Sequence, residues 1–186
     1  MSRFVNHVVC LASLLALALA IFPSTAAAQY KLTNLDSNQS GAATHIDPLL
    51  VNAWGIAYPP TGPFWVSDNG SGWSTLYTGT GVKQSLQVLV PTAGGTGPGS
   101  PTGIVFNASQ DFPVQGNAAV FLFATLDGTI SGWSPKSNLA SAIVAVTTPG
   151  AVYTGLAVTN NTTETFYSPR IMPTIKWMST TARSRW

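Results

Sequence analysis

Residues 52–81 read NAWGIAYPPTGPFWVSDNGSGWSTLYTGTG, and this stretch decides the fold. A short start, Trp54-Gly55-Ile56-Ala57, precedes an aromatic and β-branched run, Phe64-Trp65-Val66-Ser67. The turn Asp68-Asn69-Gly70 leads to a third run, Ser74 to Thr78, and a fourth follows from Ser85 to Val90. Val, Ile, Phe, Trp and Thr favour strands because they suit a pleated, half-buried surface. Asn-Gly and Asp-Gly supply residues that tolerate the positive φ of tight hairpins. Four short strands are predicted here, with no amphipathic helix of useful length after residue 28.

The pattern returns. Thr102-Gly103-Ile104-Val105 and Thr154-Gly155-Leu156-Ala157 repeat the start, at spacings of 48 and 52 residues. In the second unit, Val120 to Ala124, the turn Asp127-Gly128, Thr129 to Trp133 and Ser141 to Thr147 complete the set. Four strands at a period of ~40–50 residues are the signature of a propeller blade. The expected fold is therefore all-β, an incomplete β-propeller. It has about two four-stranded blades and the start of a third, where closure takes about 4–8. Pro91 to Pro101 (PTAGGTGPGSP) is expected to be a flexible linker crossing from one blade to the next.

The 186 residues suffice for one domain. Only 8% are charged, against a usual ~25%. Together with the 45% apolar content, this excludes a disordered chain. Arg3, the apolar run Val8 to Phe22 and the small residues Ala26-Ala27-Ala28 form the three parts of a cleavable signal peptide over residues 1–28. The run is shorter than the ~20 residues that span a bilayer. An exported protein, periplasmic or extracellular, with no membrane span after cleavage is the expectation. The only cysteine, Cys10, lies in that leader. No disulfide or thiolate site is then expected in the mature chain.

Charge is divided unevenly. From Gln29 to Thr165 three lysines face six acids, whereas residues 166–186 hold four bases and no acid. The pI of about 8.9 is thus a property of the tail. Nucleic-acid binding needs a basic face on the folded domain, and the body offers none. The partner expected is an extracellular ligand or protein.

The segments LVNAWGIAYPPTGPFWVSDNGSGWSTLYTGTG, GSPTGIVFN, FLFATLDGTISGWSP and VYTGLAVTNN resemble an uncharacterised family of exported bacterial proteins related to NHL-type β-propellers. The resemblance covers roughly residues 50–165. It implies a propeller fold over 29–165 and carries no activity. It also implies a longer protein, able to close a ring.

After Glu164 the blade pattern stops. Residues 166–186, FYSPRIMPTIKWMSTTARSRW, contain no glycine and no acid. Codons for this segment, displaced by two bases, permit the translation LLAADNANNKVDVYDGTFTL. That string has a strand, an Asp-Asn turn and a second strand, as a third blade requires. Residues 166–186 are accordingly expected to be an aberrant basic tail, produced by a frameshift near residues 161–165.

Candidate chemistry is sparse. His45 is the only histidine after residue 28 and lies near Asp47. A His–Asp pair can act as a general base. No G-x-S-x-G elbow or free cysteine accompanies it, so it is read as a loop histidine and no catalytic residue is assigned. Asn52, Asp68 and Asp127 are candidate Ca²⁺ ligands, because Ca²⁺ takes 6–8 oxygens. The commoner role of Asp and Asn at such places is to form the turn itself. Trp73, Asp68 and Asn69 are the candidate ligand-binding residues. Of Trp54, Trp65, Trp73 and Trp133, Trp73 is the one expected to be exposed, and aromatics at this density otherwise form core. The Gly-rich GGTGPGS lacks the Lys-Ser/Thr ending of a phosphate loop. Asn107-Ala108-Ser109 matches a glycosylation acceptor. These features favour a non-enzymatic binding or scaffold module. The alternatives are a Ca²⁺-dependent propeller hydrolase or lyase, or a truncated product without function.

Overall fold

The computed structural model describes residues 30–160 and 165–171. The expected leader and most of the expected tail lie outside them. Two short strands, β1 (Asp36–Ser37) and β2 (His45–Ile46), pair in parallel. The first large sheet is an antiparallel meander of β3 (Ala53–Ala57), β4 (Phe64–Asp68), β5 (Trp73–Tyr77) and β6 (Lys83–Leu89). The second begins with β7 (Pro101–Phe106), detours through a hairpin of β8 (Pro113–Val114) and β9 (Asn117–Ala118), and continues as β10 (Phe121–Thr125), β11 (Thr129–Trp133) and β12 (Ile143–Thr147). Its order is β7-β10-β11-β12, so it is again a four-stranded meander. A third, two-stranded sheet pairs β13 (Tyr153–Asn160) with β14 (Thr165–Ile171). The described chain is all-β, in several small sheets, none of them closed.

The turns differ in detail from expectation. The left-handed residue of the β4–β5 turn is Gly72, at φ 78°, rather than Asn69 or Gly70. Its N–H donates to the Asp68 carbonyl at 2.8 Å. In the β10–β11 turn that residue is Gly128, at φ 76°. Glycine takes these positions because it alone has no Cβ to clash.

Pro91 to Pro101 is not a flexible linker. Pro91 bridges to Pro98, and the N–H of Gly99 donates to the Val90 carbonyl at 2.8 Å. The N–H of Ala93 donates to the Asp127 carboxylate at 2.7 Å. The loop does cross from β6 to β7 as expected, but its backbone groups are satisfied locally, which orders it.

Each large sheet turns one face toward the next. Trp65, Leu76 and Val88 of the first sheet pack against Ile104, Phe121, Phe123 and Trp133 of the second. Trp65 stacks on Phe121 with ring centroids 4.1 Å apart. Leu122, Ala124 and Ile130, on the opposite face of the second sheet, pack with Tyr153 and Tyr167 of the third. Alternation along each strand sends neighbouring residues into different layers. Phe121 and Leu122 illustrate it, since they are adjacent yet sit in separate cores.

The sheets meet most closely where the repeated glycines lie. A Cβ on Gly55 would collide with the backbone carbonyl of Thr102. A Cβ on Gly103 would collide with the backbone N–H of Leu156. Both obstacles are main chain, which cannot rotate away. Gly103→Ala is expected to destabilise the protein by about 1–3 kcal/mol, the usual cost of overpacking, read as a lower urea midpoint.

Candidate functional site

The site is a groove on the outer face of the first sheet, the face turned away from the second. It has a volume of about 540 Å³. Its walls are Trp54 and Ile56 on β3, Phe64 and Val66 on β4, and Leu35 and Leu50 from the segment before β3. Asp36 and Tyr77 supply its polar edge. Ile56 is 65% exposed and Trp54 47%. A contiguous apolar opening of this kind marks an interaction site more often than a defect.

Beside the groove runs a chain of buried polar side chains. The Tyr77 hydroxyl donates to Asp47 Oδ2 at 2.6 Å. It stands 2.9 Å from the Thr75 hydroxyl, which lies 2.7 Å from Asp68 Oδ2. At the other end Lys83 Nζ donates to Asp47 Oδ1 at 2.8 Å. The Leu49 N–H also donates to Asp47. The segment carrying Asp47 is thereby fastened over β5 and β6.

A count of protons relates the state of Asp68 to the direction of these links. Three links join Asp68, Thr75, Tyr77 and Asp47, and the two hydroxyls supply one proton each. Tyr77 gives its proton to Asp47, and the single Thr75 proton serves either Asp68 Oδ2 or the Tyr77 oxygen. With Asp68 protonated all three links carry a proton; with Asp68 ionised, Thr75 donates to it and the Thr75–Tyr77 link goes without. Burial pushes the Asp68 carboxyl up to about 7, despite the opposing hydrogen bond with Thr75. Asp68 Oδ1 has no partner among the described residues, which is tolerable for a neutral acid and costly for a carboxylate. Asp47 is the opposite case. Burial alone would raise it, but hydrogen bonds from Lys83, Tyr77 and Leu49 hold it below the usual carboxylate range. Burial and the hydrogen bond to Asp47 push the Tyr77 phenol up.

The candidates from the sequence fall into separate places. Asp68 is fully buried and belongs to the polar chain. Asn69 accepts a hydrogen bond from the Asn52 side-chain amide at 3.1 Å and donates to the Pro101 carbonyl. Asn52 is exposed, with φ 51°. Asp127 is exposed at the β10–β11 turn, holding Ala93. Asn52 and Asn69 are thus brought together beside Asp68, while Asp127 serves the loop of the second sheet. Among the described residues, no three His, Cys, Asp or Glu side chains gather as a metal site.

Trp73 is half-buried on β5. Trp54 is the exposed tryptophan instead, because β3 has one face uncovered. The Trp54 indole N–H donates to the Thr154 carbonyl at 3.1 Å. Trp65 and Trp133 are core, their rings 4.7 Å apart. His45 sits opposite Asp36 in the β1–β2 pair; burial raises the Asp36 carboxyl, and His45 offsets part of that rise. The Asn107 side chain is spent internally, donating to the Ala119 and Asp111 carbonyls. The polar chain itself was not anticipated. Asp47, Tyr77 and Lys83 are scattered in sequence and match no motif. The one available signal is a strand lysine, Lys83, within a body of low charge.

No protein-family model matches the chain. Two uncharacterised proteins of Acanthamoeba polyphaga mimivirus are similar to it. One is 33% identical over 148 residues, 75% of this chain and 39% of the relative. The other is 29% identical over 144 residues, 73% of this chain and 36% of the relative. The chain spans under two-fifths of the length of either. The expected membership of an exported bacterial family related to NHL-type propellers is overturned by these findings: the curated relatives are viral and no family matches. The segments that carried that resemblance are glycine starts and Asp/Asn turns. Meander geometry demands such residues of any chain that folds this way, so they report shape rather than descent.

Because the folded-state pKa of Asp68 is raised, the folded protein binds a proton that the unfolded chain has lost between pH 3.8 and about 7. Stability should therefore fall as pH rises through that window. Asp68→Asn keeps a donor toward Thr75 and carries no charge. Urea denaturation across pH 4–8 should show that slope in the wild type and lose it in Asp68→Asn. An unchanged slope in the variant assigns it to another group.

Proposed function

We propose that the chain is a non-enzymatic binding or scaffold module, whose two four-stranded meanders are propeller-type blades and whose partner sits on the open face of the first. The observation that supports this reading is the apolar groove at Trp54, Ile56 and Phe64. The polar groups around it contribute shape rather than reactivity. Asp47, Lys83, Tyr77 and Thr75 are tied to one another, which leaves an apolar surface to do the recognition. Export from the cell is part of the proposal, supported by the apolar run Val8 to Phe22 and the alanines at 26–28. The dye ANS reports exposed apolar surface. Dilute wild-type protein should enhance its fluorescence, and Ile56→Asp should abolish most of the enhancement while the melting curve stays unchanged. Enhancement that survives in Ile56→Asp places the apolar binding surface elsewhere and removes this reading.

A second reading concerns the segment after residue 160. We propose that the displaced frame encodes the rest of the third blade. β14 lies beside β13, in the place that the apolar start of the displaced-frame string would take. Sequencing the gene beyond codon 165 tests this. Further blade-like code in the displaced frame is expected, and a stop or unrelated code there defeats it.

A further inference from the structure

The two large sheets can be superposed strand by strand from their pairing. In the first, Trp65 pairs with Leu76, and in the second Leu122 pairs with Gly132. Trp65 and Leu122 both face the following sheet. Phe64 then corresponds to Phe121, Val66 to Phe123 and Tyr77 to Trp133. The glycine starts match Ile56 to Ile104. Every member of the second set is buried against the first sheet. Every member of the first set lines the groove. The groove thus repeats a surface that, one unit later, is shaped to receive a β-sheet.

The same comparison identifies the surface that would fit. Toward the next unit the first sheet presents Ala57 and Trp65, and the second presents Val105 and Leu122. The third sheet presents Ala157 at the equivalent position, and both Ala157 and Thr159 are exposed. The segment carrying Asp47 covers the outer strands of the first sheet, through Tyr77 and Lys83. What stays open lies over the inner strands β3 and β4.

Resting on the reading of this groove as the binding face, we propose that its occupant is a second copy of the chain, which seats the exposed Ala157 and Thr159 of its β13 on Trp54, Ile56 and Phe64. The contact joins two different surfaces. Successive copies therefore add head to tail, into a ring or an open string.

Light scattering on the full chain over a concentration series tests this. Wild type should rise from the mass of one chain to that of two or more. Ile56→Asp and Ala157→Arg each alter an exposed side chain and should each remain monomeric, with melting curves unchanged. Mixing the two variants should restore a dimer, because each keeps the half that the other lost. Three results overturn the proposal. One is a wild type that is monomeric at every concentration yet still enhances ANS; this leaves the binding face intact and assigns it a different occupant. Another is association broken by Ile56→Asp alone, with no rescue on mixing, which is a face-to-face pair. The last is association that survives both substitutions. Loss of ANS enhancement along with association would defeat the binding face as well.

Discussion

The close approach of the inner strands governs this structure. Where Gly55 meets Thr102 and Gly103 meets Leu156, main chain lies against main chain with no room for a side chain. Sheets normally pack about 10 Å apart, at a distance set by interdigitated side chains. Here the inner edges converge and the outer edges diverge, so aromatic bulk collects away from the glycines. Trp65, Phe121 and Trp133 fill that wider space. A missing Cβ at Gly55 and at Gly103 is what permits that approach.

Two kinds of surface flank the first sheet, and they are held by different physics. On the side of the second sheet the contact is apolar and close-packed. On the other side a segment without long strands is held over the outer strands by a half-buried ion pair and a hydroxyl chain. Apolar packing would tolerate many segments there. A buried acid that must meet Thr75, and a carboxylate that must find both Lys83 and Tyr77, tolerate few. Geometric selectivity of this sort is what buried polar networks contribute.

The strands were legible in the sequence because meanders are local. Each pairing joins neighbours across a short turn, and turn chemistry and alternation both mark it, as at Phe64 to Tyr77. The spacing of Gly55, Gly103 and Gly155 revealed the repeat for the same reason. What escaped depends on contacts distant in sequence. Tyr77 looks like an ordinary strand aromatic until Asp47, 30 residues earlier, is laid over it. Trp73 and Trp54 could not be ranked by exposure, since that depends on which sheet face is covered. The β8–β9 hairpin was missed because strands of two residues carry no periodicity. Pro91 to Pro101 was misjudged from its glycine content, although hydrogen bonds to Asp127 and Val90 set its order.

The Trp54–Thr154 hydrogen bond spans 100 residues. The ladder pairings of β3, β4, β5 and β6 close over short connections and can form as soon as the chain emerges. This one waits until the third unit exists. Local contacts form quickly and distant ones slowly, so β3 pairs early with β4 while its inner edge is expected to be among the last parts of the first sheet to be secured. During synthesis its indole and glycine edge remain unengaged while two further sheets assemble behind it. The order of folding therefore runs outward from the hairpins to the inner edge, and the inner edge is the region most exposed to capture by a wrong partner along the way.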